Sequence, residues 1–114
     1  MIRKKEECNV EIRKAMKGGN GQVEVTNFAT KEEMLNNARL FANLHLEPNC
    51  GIGYHIHEDE TEIFYIASGE AIYNDNGTDV LVKQGDVCIC EPHKGHSINT
   101  KDKACDLIAS IVLK

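Results

Sequence analysis

Apolar residues at every second position are the feature that most restricts how this chain can fold. From Arg39 to Leu46 the pattern is unbroken: Leu40, Ala42, Leu44 and Leu46 fall on one side, and Arg39, Phe41, Asn43 and His45 on the other. Successive side chains of an extended strand point to opposite faces, so this pattern predicts a half-buried strand. Val10 and Ile12 alternate with Glu11 and Arg13, and Val23 and Val25 suggest another short strand. Beyond residue 50, short apolar runs are separated by turn-forming residues. Asn74-Asp75-Asn76-Gly77 predicts a hairpin returning through Thr78 to Lys83, and Gln84-Gly85-Asp86 turns into Val87 to Cys90. Gly69 is expected to close the strand that begins at Glu62, with Glu70 to Tyr73 opening the next. A last run, Ala104 to Leu113, follows the polar turn Thr100 to Lys103. Only Thr30-Lys31-Glu32-Glu33 departs from strand patterning; it fits a capping box and predicts a helix of about two turns before Arg39.

At 114 residues the chain can enclose one core and is too short for two ordinary domains. A net charge of -5, with arginine only at Arg3, Arg13 and Arg39, argues against a phosphate-tracking surface, so no nucleic-acid partner is expected. Five cysteines without a C-x-x-C pair, and no apolar leader after Met1, point to a reducing, cytoplasmic setting. The longest apolar-rich run, Leu107 to Leu113, has strand length, so no membrane partner is expected either. Cys88 and Cys90 share a strand face, Cys105 lies on another strand, and all three read as small buried hydrophobes. In residues 1 to 17, Lys4, Lys5, Lys14 and Lys17 are interspersed with Glu6, Glu7 and Glu11, which describes a solvated face. That arm has too few apolar residues to form a sheet of its own. A short unpaired strand exposes backbone groups that another chain can pair, so a homodimer built by exchange of the arm is expected.

Chemistry concentrates between Gly51 and Gly69. His55 and His57, two residues apart on a strand, project from one face, and Glu62 opens the next apolar run. The carboxylate reaches the same point if the two runs pair as neighbours. Gly51 and Gly53 share the parity of His55 and leave room beside it. His96, at the start of another alternating segment after a Pro/Gly turn, supplies a third imidazole. Three imidazoles and a carboxylate form a nitrogen and oxygen ligand set for one divalent ion per chain: manganese, iron, zinc or nickel. Glu60 is the rival carboxylate, but with Glu58 and Asp59 it reads as part of a solvated loop.

The two histidine stretches resemble the cupin superfamily. Its first motif, G-x5-H-x-H-x3or4-E-x6-G, is met by His55, His57, Glu62 and Gly69, with Asn49 at the opening glycine position. The second, G-x5-P-x-G-x2-H-x3-N, starts at Gly85 and reaches His96, while Glu91, His93 and Thr100 stand at the proline, glycine and asparagine positions. The resemblance covers residues 39 to 113. It implies a double-stranded β-helix, or jelly-roll, barrel over residues 39–114, preceded by an arm of short strands and at most one short helix in residues 1–38. It also implies that His55, His57, Glu62 and His96 are the metal ligands, and His45, without a partner at the family spacing, is a strand-surface or cavity-wall residue.

Fold and ligands do not select a reaction. The first expectation is a metal-dependent enzyme, an isomerase, lyase or similar, using the ion as a Lewis acid on an oxygenated small molecule of the sugar or keto-acid type. A non-catalytic module binding a small ligand is the second, and an iron-dependent dioxygenase the third. Oxalate-decarboxylating relatives carry an arginine just ahead of the His-x-His pair, where Cys50-Gly51-Ile52-Gly53-Tyr54 offers none. Thiol dioxygenases of the cysteine type dispense with the glutamate. Sugar-phosphate isomerases need cationic anchors, and Lys83, Lys94, Lys101, Lys103 and Lys114 all fall near turns or the chain end.

Overall fold

A computed structural model describes residues 1–114 as nine β-strands with single 3₁₀ turns at Lys5–Glu7 and Met16–Gly18. The strands are β1 (Asn9–Lys14), β2 (Gln22–Asn27), β3 (Ala38–Leu46), β4 (Gly51–Ile56), β5 (Glu60–Asp75), β6 (Thr78–Lys83), β7 (Val87–Cys90), β8 (Gly95–Asn99) and β9 (Cys105–Leu113). They pair in the order β1-β2-β3-β9-β5-β8-β4, every pair antiparallel, with β6 and β7 also joined to β5. No helix is long and apolar enough to cross a membrane.

The long strand β5 makes this a closed two-layer structure. Its first half pairs with β7 and β9, and its second half with β6 and β8. Gly69 therefore does not end the strand, as its turn-forming character predicts, but bends it from one sheet into the other. The register slips between Ile66 and Ser68, and Gly69 takes φ 77. The slip changes parity: Glu62, Phe64 and Ile66 point inward before it, Ala71 and Tyr73 after it. A side chain at Gly69 would meet the Ala104 carbonyl, so glycine is required for both the conformation and the close approach.

Inside lies one apolar cluster, fed by the alternating faces of β3 (Leu40, Ala42, Leu44, Leu46) and β9 (Cys105, Leu107, Ala109, Ile111) and closed by Phe64, Ile66 and Ile98. This is the double-stranded β-helix that the motifs imply. Cys88, Cys90 and Cys105 are buried, and burial pushes their thiols up to about 11, which keeps them protonated apolar fillers.

Two local expectations are corrected. The capping box forms, with Thr30 N–H to Glu33 Oε1 at 2.8 Å and Glu33 N–H to Thr30 Oγ1 at 3.1 Å, but no helix follows. Leu35 and Asn36 take φ 57 and 58, left-handed values that end the coil after a single turn, while Arg3 clamps the Glu33 carboxylate from the arm. The arm, for its part, is not left unpaired: β1 lies on β2 and β2 on β3 of the same chain, extending its own sheet.

Candidate metal centre

The four side chains singled out in the sequence converge. His55 on β4 lies directly opposite His96 on β8, His57 follows the end of β4, and Glu62 arrives on β5 from the other sheet. The His55 and Glu62 runs reach one point without pairing as neighbours: β8 takes the place beside β4, and the carboxylate closes the site from across the barrel. Side-chain exposure is 1% for His96, 4% for His57, 7% for Glu62 and 14% for His55, so what access there is lies on the His55 side.

Which face His55 occupies depends on a second irregularity. The β4–β8 register slips between Ile52 and His55, so that Ile52, three residues away, shares its inward face. Parity counted from the sequence had put Gly51 and Gly53 there. Instead, a side chain at Gly53 would strike the Lys17 carbonyl, and one at Gly51 the Asn99 side chain. These glycines make room for the Met16–Gly18 turn and for β8, not for a ligand.

Nε2 of His55, His57 and His96 and Oε1 of Glu62 all face one another. His57 Nε2 lies 3.1 Å from His55 Nε2, 3.1 Å from His96 Nε2 and 3.1 Å from Glu62 Oε1. His96 Nε2 is 3.3 Å from His55 Nε2 and 3.0 Å from Glu62 Oε1, and only the His55–Glu62 separation is long, at 4.0 Å. The opposite nitrogens are already engaged. Nδ1 of His55 meets the Gly53 carbonyl at 2.8 Å, Nδ1 of His57 the Glu60 carboxylate at 2.8 Å, and Nδ1 of His96 the Tyr73 hydroxyl at 2.9 Å. With Nδ1 donating outward, each Nε2 turns a lone pair inward. Three lone pairs and a carboxylate oxygen then meet without a donor among them. One added proton bridges only two of the four atoms, whereas one cation can engage all of them.

The spacing carries further information. With bonds of about 2.1 Å, neighbouring ligands of an octahedron sit about 3.0 Å apart and opposite ones about 4.2 Å, while a tetrahedron spaces all six pairs by about 3.4 Å. The six separations here, 3.0 to 4.0 Å, fall within the range that four ligands of one ion would show, so His55, His57, Glu62 and His96 would hold it together.

Electrostatics follow from the same packing. Burial lowers the pKa of His55. The Glu62 carboxylate beside its ring, aided by Glu60, raises that of His57 against its burial. Burial would raise Glu62, yet the neighbouring His57 and His96 imidazoles leave its pKa below the ordinary value. Phe64 stacks on the His96 ring, with centroids 5.2 Å apart, and fixes its plane.

Glu60 is not the solvated loop residue that its acidic neighbours suggest. It begins β5, is half-buried, and accepts from Arg39 Nε at 2.7 Å and Nη2 at 2.6 Å as well as from His57. The Arg39 hydrogen bond, foremost, holds its carboxyl at about 2. Local sequence carries no sign of this, because Arg39 belongs to a different strand. Tyr73 was missed for another reason, the parity change at Gly69. His45 stays outside the cluster, bound to Asp106 and Glu47. Exposed His93 contacts Glu58 at 3.2 Å and is not a ligand.

Comparison with known proteins places these features. The family model described as "Cupin domain" matches residues 42–111. A protein of Thermotoga maritima named "Oxalate-binding protein" is 43% identical over 114 residues, spanning 99% of this chain and 94% of the relative. A crystal structure from Thermotoga maritima described as a predicted oxalate decarboxylase superposes with a TM-score of 0.95 at 41% identity over 100% of both chains. KdgF from Halomonas, at 13% identity, shares the fold alone, with a TM-score of 0.77 over 100% of this chain and 95% of that one. The family match spans all four convergent residues, and on it this chain belongs to the cupin-domain family.

Proposed function

We propose that His55, His57, Glu62 and His96 hold one divalent metal ion and that the centre binds a small dicarboxylate of the oxalate class. The observation that carries this reading is the convergence of four acceptor atoms on one buried point. A donor set of three imidazoles and a carboxylate would suit manganese, iron, nickel or zinc. When bound, the metal supplies positive charge and Lewis acidity to the ligand oxygens. The chain contributes fixed lone pairs, set by the Nδ1 partners, and a site that is nearly closed to water. The name of the Thermotoga maritima relative supports an oxalate-type ligand.

Binding is favoured over turnover by where the remaining polar groups lie. Glu60 and Tyr73, which touch the cluster, contact Nδ1 atoms on the far sides of the rings, so neither faces the convergent Nε2 atoms as a general acid. The missing arginine before the His-x-His pair points the same way, since the metal's charge serves to bind a dianion. This favours the second sequence-based expectation, a non-catalytic module binding a small ligand, over the first, an enzyme acting on a sugar or keto acid. Calorimetric titration of manganese-loaded protein is expected to show one oxalate per chain, no binding without metal, and loss of binding in His96→Ala. Metal-loaded protein that ignores oxalate contradicts the proposal. Release of formate and carbon dioxide, or oxygen uptake by the iron form, replaces binding with catalysis.

We also infer that the chain pairs with a second copy, through the outer sheet face rather than by exchanging the arm. Strand registers align Val10, Thr26, Asn43, Ile108, Tyr65 and Val87 in one row and Phe41, Ser110, Ile63 and Ile89 in the next. Polar residues border them: Glu24, His45 and Asp106 on one side, Arg39 and Glu60 on the other. Val10, Phe41, Tyr65, Val87 and Ile89 in these rows are exposed, a contiguous apolar face of the kind that marks an interaction surface. Light scattering at tens of micromolar is expected to give a dimer mass, and Tyr65→Lys a monomer. A wild-type monomer contradicts the inference.

A further inference from the structure

Each of the three histidines has a different partner behind it, and only one of those partners is charged. His55 Nδ1 meets a backbone carbonyl, His96 Nδ1 a phenol, and His57 Nδ1 the Glu60 carboxylate at 2.8 Å. Glu60 is itself immobilised. Arg39 grips both its oxygens, Nε to Oε2 at 2.7 Å and Nη2 to Oε1 at 2.6 Å. Oε1 therefore accepts from Arg39 and His57 together. The chain Arg39–Glu60–His57 starts on β3, passes through the first residue of β5 and ends beside β4, tying the two sheets to one imidazole.

From this arrangement we infer that Glu60, held by Arg39, is a positioning residue that sets the tautomer and donor strength of His57 and thereby the metal affinity of the site. The inference rests on the metal-centre reading above and goes beyond it in assigning a role to two residues outside the ligand set. The physical basis is that a carboxylate accepting from Nδ1–H keeps the proton on that nitrogen, orients the ring and makes Nε2 a stronger donor. Arg39 does two further things. It fixes the Glu60 rotamer, and it occupies the carboxylate that, three residues from His57, would otherwise compete with Glu62 for the metal.

Glu60→Gln tests this while keeping shape and the ability to accept from Nδ1–H. The readouts are calorimetric titration with manganese or cobalt, the visible absorption spectrum of the cobalt form, and thermal unfolding of the metal-free protein. Manganese affinity is expected to fall about 10- to 100-fold with stoichiometry unchanged, the cobalt bands to shift, and the metal-free unfolding temperature to stay near wild type. Arg39→Gln is expected to weaken affinity by a smaller factor. Glu58→Gln removes the same charge from an exposed neighbour, 73% accessible, and is expected to leave affinity unaltered. Equal metal affinity and cobalt spectra in Glu60→Gln and wild type overturn the inference. So does a loss of affinity matched by Glu58→Gln, which reports net charge only, or one matched by lower stability of the metal-free variant, which reports a structural ion pair. Wild-type protein that binds neither metal overturns the metal-centre reading itself, and this inference with it.

Discussion

Thr100 shows how a residue at an off-motif position is held. It stands where the family motif has asparagine, and its hydroxyl accepts from the Cys50 N–H at 3.0 Å while reaching the Glu47 carbonyl at 2.6 Å, all within a buried corner. Thr100→Val keeps the volume and strands the Cys50 amide, so urea unfolding is expected to show a loss of about 1–3 kcal/mol. Asn49 and His93 occupy motif glycine positions, and both adopt the left-handed backbone that glycine would take, with φ 58 and 70. The motif's conformation survives without its residue. The convergence of His55, His57, Glu62 and His96 was legible from spacing because a two-residue step and the motif intervals are properties of the strands themselves. Glu60 was not, because its role depends on Arg39, a partner set by tertiary pairing rather than by sequence proximity.

At the level of elements, strand existence was legible and strand continuity was not. Alternation located β1, β2 and β3, since period two is imposed by the pleat, and turn residues bounded β6, β7 and β9, all within a residue or two. What escaped it were register slips, of which those at Ile52–His55 and Ile66–Ser68 change which side chains face inward at the site. The capping box misled because it specifies the start of a coil and not its length. The packing of the Met16–Gly18 turn against β4 gives a test at this scale. Gly53→Ala places a methyl group against the Lys17 carbonyl, so the turn must move. Amide exchange is expected to speed up in residues 15–21 as the turn loosens. Exchange in the arm at the wild-type rate contradicts this.

For the whole molecule, stability should depend on pH through His45, well away from the metal ligands. A hydrogen bond with Glu47, and another with Asp106, raise its pKa above 6.5 against partial burial. A raised folded-state pKa means that protonated His45 stabilises the fold fully below about pH 6.5 and that this contribution disappears as pH rises through the higher folded value. Thermal unfolding of His45→Gln is therefore expected to lag wild type most near pH 6 and to converge with it in alkali. A gap independent of pH contradicts the assignment. The same two-sheet architecture brings four side chains from three strands and a loop to one point, and the account depends on that point being a metal centre. Equilibrium dialysis of chelator-stripped protein against manganese, followed by elemental analysis, tests it most directly. The expected result is one ion per chain at neutral pH, lost in His57→Ala and released by acid as the ligands protonate. Less than about a tenth of an ion per chain with manganese, iron, nickel and zinc alike contradicts it.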